Sequence, residues 1–394
     1  MTRFIGYNGF DLDLPHILRA ENTCLYDSQG KRYVDMESGV WCMGIGHGHP
    51  RVIEALTGQA RQICHTGYSY STPKVEEASA EVLETSGLTE GKCAFLCSGS
   101  EAVEYMVRVF RQVDHRPFLM TFTDSYFGAY GDAHRKSPDE WFLFDWSDCA
   151  ACGPDLVCGP DCPAWRKIPF PEIGGFLFEP GSSAGLVRFP PSKLVSALAR
   201  QIKQNQGWLL VNEVTTGMGR TGEWFGFSHY CLAPDAVALG KGLGNGYPVS
   251  AALLSPRLAE SLGGEAVKYA QSHQNDPLGA AVALAVLRAI KEEDLITKGR
   301  RISQVLLEGL AAIKKATGKI KEIRGRGLMV AVELNGGPDA AFTGQVRRGL
   351  LDRGYIIAQR PGLNTIRLDP ALTMEMSDLK GFLAAFEQVL QQET

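Results

Sequence analysis

Ala238-Leu239-Gly240-Lys241-Gly242-Leu243-Gly244-Asn245-Gly246-Tyr247-Pro248 joins a short apolar run to a loop in which every second residue from Gly240 to Gly246 is glycine. Glycine lets a backbone approach a ligand closely, and the apolar run reads as a buried strand over 236–239. A lysine is ordinarily a solvated surface charge. At the end of a buried strand it is carried into the interior, where desolvation lowers its pKa and makes the amine a nucleophile for carbonyl groups.

Working outward, further buried strands are predicted at 94–97, 118–122, 175–179, 208–214 and 251–254, with helical stretches between them. Ser192 is expected to cap a helix carrying Leu194, Leu198 and Ile202, with Gly207 as its stop. Strands alternating with helices indicate an α/β fold with a mostly parallel sheet covered on both faces. From about Gly279 the pattern changes. An Ala-rich helix (280–290) precedes an amphipathic one with Ile302, Val305, Leu306, Leu310 and Ile313, then apolar segments at 328–334 and 355–358. A last helix is expected to be capped at Ser377. This describes a second, smaller α+β domain, with the chain divided as 1–40 (N-terminal part of the small domain), 41–270 (large domain) and 271–394 (C-terminal small domain).

Two other junctions carry chemistry. Ser98-Gly99-Ser100 lies between a strand and a helix expected to open at Glu101, where backbone N–H groups, hydroxyls and the helix dipole suit a phosphate. The plainer reading of the tripeptide is a helix cap. Val211-Asn212-Glu213-Val214-Thr215-Thr216 ends an apolar strand and runs into Gly217-Met218-Gly219-Arg220-Thr221-Gly222. Open α/β sheets place ligand contacts at such strand ends.

Together with Gly44-Ile45-Gly46-His47-Gly48-His49-Pro50, Ser98-Gly99-Ser100-Glu101-Ala102 and Arg367-Leu368-Asp369-Pro370, these stretches resemble the class III (ω-aminotransferase-like) branch of fold-type I pyridoxal-5′-phosphate (PLP) enzymes over nearly the whole chain. The resemblance implies a large domain with a mostly parallel seven-stranded sheet and an aminotransferase that exchanges an amino group between an amine or amino acid and a keto acid or aldehyde. It implies that Lys241 carries the cofactor as a Schiff base and moves the substrate proton. Ser98, Gly99 and Ser100 would bind its phosphate, and Tyr126 and Val214 would pack on opposite faces of its ring. Glu179 would lie near its 3-hydroxyl, Ser272 would reach the phosphate of the neighbouring subunit in a homodimer, and Arg367 would bind the substrate carboxylate.

Asn212 departs from the family pattern, which has an aspartate there to keep the pyridine nitrogen protonated. An amide can only exchange a hydrogen bond. This feature keeps two other readings open: an aminomutase or amino-acid racemase/epimerase, and a catalytically silent PLP-binding homologue. Phe127 stands for the usual histidine and Ser272 for the usual threonine.

Composition bounds the rest. With 394 residues, 44% hydrophobic and 21% charged, and a net charge of −4, the chain is ordinary for a globular protein and offers no basic surface for nucleic acid. Apolar runs such as 280–287 are too short to span a membrane. Asp11 and Asp13 stand where a signal peptide needs apolar residues, so the cytoplasm is the expected compartment. Of ten cysteines, six (Cys24, Cys42, Cys64, Cys93, Cys97 and Cys231) are scattered. The others, Cys149, Cys152, Cys158 and Cys162, sit in one Gly- and Pro-rich loop with a repeated Cys-Gly-Pro-Asp. Four thiolates so placed suit a structural Zn²⁺, with an iron–sulfur cluster or unliganded thiols as the alternatives.

Overall fold

The computed structural model describes residues 3, 5–6, 12–14, 16–153 and 157–392. Asp11, and Pro154 and Asp155 of the first Cys-Gly-Pro-Asp repeat, lie outside them. The centre is a seven-stranded sheet in the order Lys92–Leu96, Ser250–Leu254, Ala236–Leu239, Trp208–Asn212, Ile173–Phe178, Phe118–Phe122, Trp141–Phe144. Only Ser250–Leu254 runs antiparallel to its neighbours.

Alternate residues of these strands enter different cores, as the two-residue period of a strand requires. Ala94, Leu96, Leu177, Leu210, Ala236, Ala238, Ala252 and Leu254 pack with Ala102, Met106, Val109 and Phe110 of the helix Gly99–Val113. Phe95, Phe176, Phe178, Leu209, Val211, Val237 and Leu253 pack on the other face with Leu194, Leu198 and Ile202 of the helix Ser192–Gln204 and with the helix Pro277–Glu292. Being covered twice, the central strands read as continuous apolar runs.

Two small sheets complete the molecule. Ile320–Arg326, Met329–Leu334, Thr365–Leu368 and Ala358–Gln359 form an antiparallel one. Ile17–Glu21, Cys24–Asp27 and Arg32–Asp35 form the other, joined by Tyr355–Ile356 parallel to Arg32–Asp35. The apolar segment expected at 355–358 therefore splits at Ile357 and serves both sheets.

Other expectations shift by a few residues. The strand expected at 208–214 ends at Asn212, and the helix expected from Glu101 opens at Gly99 with Ser98 as its cap. Pro191, not Ser192, stands at the start of the next helix, and its side chain offers no capping bond. The last helix runs Met376–Gln392. Among the described residues no helix is long and apolar enough to cross a membrane.

Candidate active site

The carboxyl ends of five parallel strands meet where Ser98, Tyr126, Glu179, Asn212 and Lys241 emerge. Ser98 caps its helix: its Oγ accepts from the Glu101 N–H at 3.3 Å, and the Glu101 carboxylate accepts from Ser98 Oγ and the Cys97 N–H. This is a capping box shifted by one residue. The hydroxyl is thus engaged, while the N–H groups of Gly99 and Ser100 at the helix start have no acceptor among the described residues. A Cβ on Gly99 would fall 2.5 Å from Val214 Cγ1, and Gly240 lies against both. Glycine at 99 is required by this close approach. Ser100 Oγ accepts from the Ala129 N–H at 3.1 Å.

Lys241 is half-buried with a left-handed backbone (φ 43°). Its Nζ donates one long bond, 3.5 Å, to Thr215 Oγ1 and lies 5.4 Å from the centre of the Trp41 ring. Burial pushes its amine below the usual lysine range, opposed by Cys42 and Glu179 and reinforced by Arg367 and Arg360.

Asn212 is buried and fully committed. Its Oδ1 accepts from the Val214 N–H at 3.1 Å, which fixes the amide's orientation. Its Nδ2 donates to the Tyr126 carbonyl at 3.1 Å and to Glu179 Oε1 at 3.2 Å. Glu179 also accepts from the Tyr126 N–H and from Ser183 Oγ. Burial pushes the Glu179 carboxyl up to about 7, against these bonds and the Lys241 charge. The Tyr126 backbone is therefore clamped while its side chain remains 44% exposed. Phe127 is buried against Trp141.

Arg367, the expected binder of the substrate carboxylate, is 1% exposed and paired within the chain. Its Nε and Nη2 donate to the two oxygens of buried Asp369 at 3.1 and 2.8 Å, and Nη1 donates to the Ser183 carbonyl. Its guanidinium carbon lies 3.7 Å from the centre of the Trp41 ring. Trp41 itself ends a turn in which Ser38, Gly39, Val40 and Trp41 all have positive φ. Three N–H groups of that stretch (Glu37, Ser38, Gly39) converge on the Asp35 carboxylate at 2.8–3.0 Å, offsetting a conformation that costs non-glycine residues about 1–2 kcal/mol each. Burial pushes the nearby Glu37 carboxyl up to about 7, with Asp35 and Asp369 adding to it. Trp41, Glu37 and Arg360 were not singled out in the sequence, and a tryptophan before Gly44-Ile45-Gly46 carries no signal that could have found them.

Ser272 stands exposed on the turn before the helix Pro277–Glu292 and makes no hydrogen bond to this cluster. That turn is docked on the strand leading to Ser98, since Asn275 exchanges two bonds of 2.9 Å with the Phe95 backbone. Arg220 of the glycine-punctuated turn is structural: it donates to the carbonyls of Leu328 and Pro370.

The four clustered cysteines do not form the expected ligand set. All are free thiols, and among the described residues the only group of three or more metal-ligating side chains with mutually close donor atoms is His65, His273 and Asp276. Burial, with the other three sulfurs adding, pushes the Cys149 thiol up to about 11.

The sequence pattern of the family Aminotransferase class-III matches residues 12–133 and 164–390. This chain belongs to the class III aminotransferases. An acetylornithine aminotransferase of Nitrosomonas europaea is 31% identical over 92% of this chain and 91% of its own length, and an ornithine aminotransferase 1 of Staphylococcus aureus is 29% identical over 95% and 94%. Among solved structures, an S-selective transaminase from Arthrobacter sp. superposes with a TM-score of 0.89 at 20% identity, covering 99% of this aminotransferase and 96% of that chain. An acetylornithine aminotransferase from Elizabethkingia anophelis gives 0.85 at 23%, covering 98% and 96%. These likenesses show the PLP fold-type I architecture, and the family uses PLP. The stretch outside the family match, 134–163, contains the cysteine loop. Family and relatives support the aminotransferase reading and lend nothing to the aminomutase, racemase or silent-homologue readings.

The residues present suit that cofactor. Among the described residues the Gly99 and Ser100 N–H groups at a helix start have no acceptor, Gly99 packs against Gly240, and the next residue is Lys241, whose amine burial pushes below the usual lysine range.

Proposed function

We propose that this aminotransferase moves the amine of a carboxylate-bearing donor, of the acetylornithine or ornithine kind for which its relatives are named, to a keto acid, with PLP held on Lys241. The half-buried Lys241 amine, with its lowered basicity and a single long hydrogen bond, carries the reading. The bound cofactor supplies the aldehyde that takes up the amino group and the ring that absorbs electrons when the substrate C–H bond breaks. Lys241 holds it and moves the proton at that carbon. Ser98, Gly99 and Ser100 bind the phosphate, chiefly through the N–H groups of the last two. Val214 and Tyr126 bound the two faces of the ring. Asn212 acts on the ring site through Glu179 and the Tyr126 backbone. Ser272 reaches the phosphate of the neighbouring subunit, so the working unit is a homodimer. The joining of Tyr355–Ile356 to Arg32–Asp35 supports grouping 1–40 with 271–394 as the small domain.

Adding N-acetylornithine or ornithine to the yellow protein should bleach it to the pyridoxamine form, and a keto acid should restore the colour. Lys241→Ala should lower the rate by about 10⁴-fold. A protein that keeps its colour with every amine offered would refute the proposal.

A further inference from the structure

The turn that carries Ser272 holds a second constellation, one that the transfer of an amino group does not use. Asp276 stands at the cap position of the helix Pro277–Glu292, yet its side chain makes no capping bond. An aspartate there ordinarily accepts from the first free N–H groups of its helix. Both oxygens of Asp276 turn to imidazoles instead: Oδ1 accepts from His65 Nδ1 and Oδ2 from His273 Nδ1, each at 2.5 Å. The two rings lie 5.0 Å apart, centre to centre. Among the described residues no lysine or arginine pairs with this carboxylate.

The frame around these side chains is rigid. His65 follows the helix Pro50–Gln62, Asp276 starts the helix Pro277–Glu292, and the two helices pack against each other. Their far ends are joined by Arg51 to Glu292 and by His49 to Glu293. Their near ends meet only through His65 and Asp276 among these ion pairs. The donor atoms of His65, His273 and Asp276 lie within 4.8 Å of one another. Zn²⁺ takes imidazole and carboxylate at about 2.0–2.2 Å, which spaces its ligands about 3.3 Å apart. The anchor, Asp276, is largely buried, while both imidazoles are exposed and free to close on an ion. Two nitrogens and one oxygen suit Zn²⁺, whereas Mg²⁺ and Ca²⁺ are held by oxygen.

We propose that His65, His273 and Asp276 bind Zn²⁺, with water as the fourth ligand. As the ion enters, the proton on each Nδ1 moves to Nε2, and the carboxylate exchanges two hydrogen bonds for the metal. Three ligands, two of them exposed, make an exchangeable site, so the metal-free protein is also a stable state. The ion clips the end of the helix Pro50–Gln62 to the turn that Asn275 docks on the strand leading to Ser98.

The test uses the full chain, cofactor-loaded and dialysed free of metal, carrying Cys152→Ser, Cys158→Ser and Cys162→Ser so that those thiols do not compete. Calorimetric titration with Zn²⁺ should show one ion per chain with a Kd on the order of 1 μM, and no binding of Mg²⁺. Adding His65→Ala or His273→Ala should weaken Zn²⁺ binding about 100-fold. At a Zn²⁺ concentration of about 100 times Kd, the melting temperature should rise by about 3 °C, and in neither alanine variant. Nitrogen NMR of histidine-labelled protein should show the ring signals of His65 and His273 moving on addition of Zn²⁺, and not those of the other six of its eight histidines. If an alanine variant does not fold, these signals decide. Absence of Zn²⁺ binding, unchanged affinity in both alanine variants, or ring signals of His65 and His273 that stay in place would each overturn the assignment.

Discussion

The two halves of this pocket are built on different principles. On the side proposed for the cofactor, Ser98, Gly99, Asn212, Val214 and Lys241 sit on or just past the ends of strands of one sheet, so the sheet's hydrogen bonds set their spacing. On the side proposed for the substrate, Glu37 and Trp41, Ser183 and Gly185, and Arg360, Arg367 and Asp369 come from three distant segments. Charge pairing and one left-handed turn hold those together. A sheet fixes position by a repeating pattern. A buried ion pair fixes it only while both partners are present, so the substrate side should be the more fragile half.

The largest expected effect tests that contrast directly. Asp369→Asn leaves the Arg367 charge, 1% exposed, without its carboxylate. Removing one partner of such a pair typically costs about 3–5 kcal/mol. Urea unfolding should show a loss of that size, together with a change in tryptophan fluorescence as the stack on Trp41 loosens. A loss below about 1 kcal/mol would mean that the substrate side does not depend on this pair.

A smaller effect is expected where the two halves touch, at Asn212 and Glu179. The Glu179 carboxyl is held up at about 7 by burial, against an ordinary value of 4.5. The folded chain therefore keeps a proton that the unfolded chain releases between those values, so stability falls as pH rises from about 4.5 to 7 and then levels off. Glu179→Gln should reduce that slope without abolishing it, because Glu37 and Glu213 are also held near 7. Asn212→Asp sets a second carboxylate against Glu179 and the Tyr126 carbonyl in place of two donated bonds. It should cost about 2–3 kcal/mol at pH 8 and less at pH 6, with Glu179→Gln recovering part of the loss. Urea unfolding from pH 5 to 8 gives all of these values. An Asn212→Asp protein as stable at pH 8 as the wild type would show that the amide is not spent as described.

The same contrast explains what was legible in the sequence. Lys241, Ser98-Gly99-Ser100 and Asn212 could be found because a strand followed by a glycine turn is a local pattern, and ligand sites gather at such ends. Six of the seven central strands were readable, with ends shifted by up to two residues, and only Trp141–Phe144 was missed. Trp141–Phe144 follows a stretch of short turns and has too few residues to set a period. Arg367 was recognised as important, yet its partner lay two residues away in Arg367-Leu368-Asp369. Two residues apart on a strand is the same face, so that pairing was available to a reading of strand geometry. Arg360 and Trp41 gave no such cue. A lone arginine and a lone tryptophan acquire meaning only when the fold brings them to one ring.

The least change is expected in the loop that belongs to neither half. Cys149, Cys152, Cys158 and Cys162 lie outside the family match, and their sulfurs are not gathered as a ligand set. Cys149 is a buried thiol in the core, while the other three are only half-buried. Replacing Cys152, Cys158 and Cys162 together by serine should change unfolding stability by about 1 kcal/mol or less. Prolonged chelation should shift neither stability nor the half-reaction rate. A structural zinc contributes on the order of 10 kcal/mol to the segment it organises, so its removal would produce a large drop in melting temperature on chelation. That drop, together with stoichiometric zinc in the purified protein, would show that the loop rearranges around a metal and is a third organised region.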